Sequence, residues 1–251
     1  VGAQPAGLSF EVSPDSELAS SPAVEKLRSY LTTLLSEGFP PSVSLAVVDR
    51  GGTVLQAFGG YACVTGEPVP TTLETSYDLA SLTKVVCTVT LALLAVERGS
   101  LELDDPVTRW LPRYPQESTT LRHLFTHTAG LVDHRPFYLN RRGRDQIEAA
   151  IYEEARGARP GDDVTYSDLG YMLLGWVLEA CYGLGLDEAF EALVARPLGL
   201  TRARFRPVTA RATGRGAPAA DLPIADLRSI AATELDGDQR TGPGLIWGEV
   251  H

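Results

Sequence analysis

Ser81-Leu82-Thr83-Lys84 stands directly before an apolar run from Val85 to Val96, and this juxtaposition constrains the chain more than any other stretch. Such a run folds as a buried helix, so Lys84 is carried toward an interior on the same helix face as Ser81. A buried lysine is costly unless its proton can leave, which an arginine's cannot. The chain otherwise avoids lysine: Lys26 and Lys84 are its two lysines, and every other basic side chain among the 22 Lys and Arg is arginine. Lysine at this point therefore reads as chemistry. Its amine is placed to take the proton of the Ser81 hydroxyl, a weak nucleophile until a base stands within hydrogen-bond reach. A helix start here is also expected to lower the pKa of Lys84 and to offer free N–H groups to an oxyanion forming on an attacked carbonyl.

A second constellation, Tyr166-Ser167-Asp168, follows the turn Pro160-Gly161 and runs into a helix. Ser167 or Asp168 is expected to cap that helix, with Tyr166 as a packing aromatic before its first turn. Taken with Ser81 and Lys84, the same tyrosine reads as a phenol that passes protons to a leaving group. His123, His127 and His134 invite a metal site, but there is no HExxH, and Asp133 lies beyond the helix stop at Gly130. Structural hydrogen bonds in a short capped helix are the expected role of His123 and His127, and neither a metal nor an organic cofactor is expected.

At 251 residues and 44% hydrophobic content the chain can bury one large core or two smaller ones. A net charge of −10 argues against nucleic acid or an anionic membrane surface as partner. No apolar stretch is long enough for a membrane span, so a soluble protein is expected, either cytoplasmic or exported with a signal peptide removed. Cys63, Cys87 and Cys181 have no CxxC spacing and read as buried thiols.

The spacing predicts a helix over 21–37 ended by Gly38, then a hairpin of Ser42 to Val48 and Thr53 to Phe58 around Asp49-Arg50-Gly51-Gly52. Helices are expected over Ala80 to Arg98, Thr120 to Thr128, Arg144 to Arg156, Ser167 to Cys181 and Leu186 to Val194. Strands followed by helices indicate an α+β protein. Since a lone hairpin cannot shield its own face, further strands are expected after residue 200 or from chain beyond this sequence. The domain reading is 1–67 as an N-terminal helix and first strands, 68–206 as a helical domain carrying both motifs, and 207–251 as an incomplete return toward the sheet.

The ordered segments DLASLTK, LDDPVTRWLP, LRHLFTHTAGL and PGDDVTYSDLGYMLLGWVLE, after the hairpin, resemble the serine β-lactamase and penicillin-binding-protein superfamily, in its class C β-lactamase-like and carboxylesterase branch. The match runs from about residue 38 to 207. The resemblance implies an antiparallel sheet flanked by helices plus a helical domain, with the active site between them. It also implies Ser81 as acylated nucleophile, Lys84 as proton acceptor or relay, Tyr166 as second general base and Asp168 in the third position of that motif. The family's Tyr-x-Asn stands here as Tyr-x-Asp, and a carboxylate at 168 favours the Lys84 ammonium, which moves the base role toward Tyr166. The later Lys-Thr-Gly-like element has one weak match, Arg240-Thr241-Gly242 before Pro243, and Trp247 to His251 resembles a segment that precedes further strands in relatives, so the chain reads as C-terminally truncated. The expected activity is that of a serine hydrolase acting on a β-lactam, a D-alanyl peptide or a short ester, hence a small-molecule or peptidoglycan-like substrate. The alternative is a non-catalytic ligand-binding or sensor protein of the same fold.

Overall fold

The computed structural model describes residues 7–64 and 67–205, together with the strand residues 234–235 and 245–246. Arg240-Thr241-Gly242, the Trp247 to His251 segment and most of the expected return segment lie outside the described residues. The chain forms two compact units that divide after Asp78.

In the first unit, α1 (Pro22–Glu37) starts under a Ser21 cap with Pro22 in its first turn and ends at Gly38 in the left-handed conformation. Strands β2 (Ser42–Asp49) and β3 (Gly52–Cys63) pair antiparallel from Ser42↔Gly60 to Asp49↔Gly52, with a bulge between Val47 and Val48. The Asp49 side chain closes the tight turn by accepting the Gly51 N–H at 2.7 Å. The hairpin is not left alone. β1 (Ser9–Val12) pairs with the other edge of β3 from Ser9↔Phe58 to Val12↔Leu55, and β4 (Val69–Pro70) pairs with its far end. The strand that flanks the hairpin thus comes from the N-terminal segment, which corrects the expectation that it would come from beyond residue 200. Val24 and Leu31 of α1 pack with Leu55 and Ala57 of β3, and Phe10, Val43 and Leu45 close the cluster. Gly60 is obligatory there: its φ is +82° and a Cβ would lie 2.2 Å from the Pro41 carbonyl oxygen. Two further strand pieces, β5 (Glu234–Leu235) and β6 (Leu245–Ile246), pair antiparallel with each other.

The second unit, Leu79–Phe205, is helical. The apolar run after Lys84 is helical as expected but not uniform: Lys84–Val89 is a π-helical segment that passes into α2 (Thr90–Glu97). Short α3 (Leu121–Phe125), then α4 (Gly143–Ala155), α5 (Asp168–Tyr182) and α6 (Leu186–Phe190) follow, the last continuing into a second π-helical turn over Glu191–Ala195. α5 is the hub. Leu169, Leu173, Leu174, Val177 and Leu178 are almost wholly buried, packed with Leu91 of α2, Leu121 and Leu124 of α3 and Ile151 of α4. Among the described residues no single helix is long and apolar enough to cross a membrane. Cys87 lies in this core one turn beyond Lys84, where burial pushes its thiol up to about 12 and keeps it protonated.

Candidate active site

Ser81 and Lys84 enter the second unit on a strained turn. Ala80 has φ +45°, a conformation that side chains with a Cβ avoid, and the N–H groups of Leu82, Thr83 and Lys84 bond back to the carbonyls of Leu79, Ala80 and Ser81 at 2.9, 3.0 and 3.1 Å. Those three N–H groups are therefore engaged within the turn, unlike the free donors that a helix start was expected to present. The tight turn leaves Ser81 exposed while Lys84 points inward, and the π-helical segment begins at Lys84 itself.

From the other side, α5 is positioned by its cap. Ser167 is the N-cap: its hydroxyl accepts the Gly170 N–H at 3.3 Å and donates to the Val132 carbonyl at 2.6 Å. Asp168 is thereby released from capping, and its own N–H donates to the Asp133 carbonyl at 2.8 Å. The segment 127–133 runs alongside 161–168. Gly161 N–H bonds Thr128 O at 2.8 Å and Thr165 N–H bonds His127 O at 2.9 Å. Gly130 permits this course, since φ is +71° and a Cβ would sit 2.5 Å from the Arg159 nitrogen.

These two supports bring all four sequence-predicted residues together. Lys84 Nζ donates to Ser81 Oγ at 3.2 Å and to Asp168 Oδ1 at 2.6 Å, with both charged side chains mostly buried. The ammonium stands 5.0 Å from the Tyr166 ring centroid and 5.7 Å from that of Tyr171. Tyr166 is half exposed, so it does not serve as a core aromatic. Burial alone lowers the pKa of Lys84, but the Asp168 carboxylate and the Tyr166 phenol beside it outweigh that, and the net direction is upward. The lowering expected from the helix start is thus reversed by Asp168, and the resting lysine is an ammonium.

Three neighbours complete the arrangement. His134 Nδ1 lies 3.8 Å from Asp168 Oδ2. His123 has the capping role expected of it, accepting the Thr120 N–H on Nδ1 at 3.1 Å while the Thr120 hydroxyl accepts the His123 N–H. His127 accepts the Ser167 N–H at 3.0 Å, and its ring lies tilted against Tyr166 and stacked on Tyr171. Tyr171 escaped the sequence reading, although its place three residues after Asp168 puts it on the same face of α5. Among the described residues no group of three or more His, Cys, Asp or Glu side chains is arranged to hold a metal ion.

A family model described as Beta-lactamase matches residues 27–234. A Salmonella paratyphi B protein, provisionally named a D-alanyl-D-alanine carboxypeptidase, is 27% identical over 274 aligned residues, covering 95% of this chain and 59% of its own length. Among solved structures, the octameric penicillin-binding protein homologue from Pyrococcus abyssi is 26% identical with a TM-score of 0.66, over 89% of this chain and 50% of that one. EstCE1, a hydrolase with promiscuous acyltransferase activity, is 25% identical with a TM-score of 0.65, over 92% of this chain and 61% of that one. The chain thus spans a little over half the length of these relatives.

Proposed function

The chain belongs to the β-lactamase family, and from that membership we propose that it is a serine hydrolase in which Ser81 is transiently acylated by an ester or amide carbonyl. One observation carries the reading: an exposed serine hydroxyl 3.2 Å from a lysine that is itself anchored at 2.6 Å to a carboxylate. In this reading Ser81 Oγ attacks the carbonyl carbon and its proton leaves to a base. Lys84 cannot accept it while Asp168 holds the amine protonated, so Tyr166, reacting as the phenolate, takes the proton and, as the phenol so formed, returns it to the leaving group. Lys84 then acts as a fixed positive charge that favours the phenolate before attack and stands beside the alkoxide as it develops. Water hydrolyses the acyl-enzyme by the reverse traffic. The substrate is small, and a D-alanyl peptide is suggested by the name of the Salmonella relatives, with β-lactams and short esters as the other members of the class.

A second reading is favoured by the same ion pair. An amine locked as ammonium opposes base catalysis, and a protein of this kind would be acylated slowly or not at all and act as a ligand-binding sensor. The test is a fluorophosphonate probe read by intact mass, followed by turnover of p-nitrophenyl butyrate and nitrocefin. The expected result is one label per chain, absent in a folded Ser81→Ala variant that has also lost turnover. Turnover retained in Ser81→Ala sinks the nucleophile, whereas slow or absent labelling of the native chain without turnover selects the sensor.

A further inference from the structure

We propose that His127 is a positioning residue of this site: its neutral ring, packed against both Tyr166 and Tyr171 and bonded to the Ser167 backbone, sets where the Tyr166 hydroxyl and the Asp168 carboxylate stand. The inference rests on the reading of Tyr166 as the working base.

Tyr166 is tethered to His127 on three sides. The residue before it, Thr165, donates its N–H to the His127 carbonyl at 2.9 Å. The residue after it, Ser167, donates its N–H to His127 Nδ1 at 3.0 Å. Between them the Tyr166 ring lies on the imidazole, with centroids 4.6 Å apart and planes inclined by 34°. The imidazole also stacks on Tyr171, 5.0 Å away at 29°, and the Tyr171 hydroxyl is itself anchored to the Phe125 carbonyl at 3.3 Å. Two aromatic neighbours restrict the plane of the ring, and the hydrogen bond restricts its rotation within that plane. His127 reaches this place through a left-handed backbone, φ +58°, which histidine adopts more readily than most side chains.

A ring nitrogen that accepts an N–H carries no proton, so His127 is neutral with its proton on Nε2. The groups facing it reinforce that state on balance. Burial and the Lys84 ammonium hold its pKa below the ordinary histidine value, against the opposing pull of Asp168, and the remaining titratable neighbours are Tyr166 and Tyr171, whose rings pack against it. Protonation sets an N–H against the Ser167 N–H, and the tether of residues 166 to 168 is lost. Because the folded value is depressed, the neutral ring persists as pH falls below about 6.5 and the site loosens only beneath that.

Two measurements test this. With four histidines in the chain, ¹⁵N-histidine spectra of the native protein should contain two rings with Nε2 protonated and Nδ1 as acceptor, His123 and His127, and the one missing from His127→Asn should titrate below the ordinary histidine range. Assignment of His127 to the opposite tautomer, or an ordinary titration, overturns the proposal whether or not the protein is active. In kinetics, His127→Asn tolerates the backbone but removes the stacked ring, and His127→Phe keeps a ring but removes the acceptor. Each, folded by its melting curve, should lower kcat on p-nitrophenyl butyrate by about 100-fold with KM nearly unchanged, and should erase the acidic limb that follows the histidine titration. Native kcat with an unchanged acidic limb in folded His127→Asn overturns it. If the native protein neither labels nor turns over, the hydrolase reading fails, and the spectra together with Tyr166 ring shifts in His127→Asn decide the positioning role alone.

Discussion

Lys84 is the residue on which the competing forces meet. A lysine stem drawn into an apolar helix pays for desolvation, and in isolation it lowers its pKa and becomes a neutral base. Asp168 at 2.6 Å reverses that outcome, so what the position demands is a cation that reaches both Ser81 and Asp168. Two roles remain for it, fixed charge or proton exchanger, and substitution separates them. Arginine keeps the charge and cannot exchange a proton near neutral pH, while its planar fork is longer than the ammonium it replaces. For the fixed-charge role, Lys84→Arg is expected to keep clearly more activity than Lys84→Ala, which should fall by roughly 100- to 10,000-fold in kcat/KM on an activated ester, and an arginine variant as inactive as alanine points to proton exchange or to the altered reach. An arginine variant within tenfold of native shows that charge alone suffices.

At the scale of elements, the site depends on how two helix starts are made. α5 begins under Ser167, whose hydroxyl joins Gly170 N–H to Val132 O and thereby ties the helix to the loop that carries Asp133 and His134. Ser167→Ala removes a buried donor and acceptor at once, so it should cost about 1–2 kcal/mol in a denaturant titration and lower kcat through displacement of its neighbours Tyr166 and Asp168. A variant of native stability shows that the loop holds without this link. Much of the element plan was legible because it is written locally: Ser21, Pro22 and Gly38 bracket α1, and Asp49-Arg50-Gly51-Gly52 makes the hairpin. Of the candidate site, Ser81 and Lys84 could be read from i,i+3 spacing, Tyr166 once it was set beside them, and Asp168 as a site residue through the family resemblance, since its place on a helix start by itself indicates a cap. What was not legible depends on distant partners. β1 has only four residues and is a strand because β3 offers it an edge. The π-helical turn at Lys84 has no residue signature, and α5's cap fell to Ser167 because the Val132 carbonyl lies within reach of its hydroxyl. His127 stood in plain view in HLFTH, yet its function follows from two tyrosines beyond Pro160, which no local pattern connects to it.

At the scale of the whole molecule, the residues of the candidate site and the largest core belong to the same compact unit, so the Lys84–Asp168 pair is coupled to the stability of that unit as well as to its chemistry. The sign of the coupling follows from the direction of the shift. Lys84 has a folded pKa above its unfolded value, so the pair contributes stability that is fully present below about pH 10.4 and is lost as pH rises through the higher folded value. In Asp168→Asn the main cause of the rise is gone, while burial, which acts the other way, and the Tyr166 hydroxyl, which acts in the same direction, both remain. The difference in unfolding free energy between native and Asp168→Asn should be constant from pH 7 to about 10 and then shrink, while the other titrating groups, common to both proteins, cancel. Its size at neutral pH should be about 1–3 kcal/mol, the range for a hydrogen bond to a charged group that is mostly out of water. Denaturant titrations at half-unit steps of pH read it directly. A difference that already shrinks between pH 7 and 9 would mean that Lys84 gives up its proton near neutrality. The amine, rather than Tyr166, would then be the group that receives the Ser81 proton.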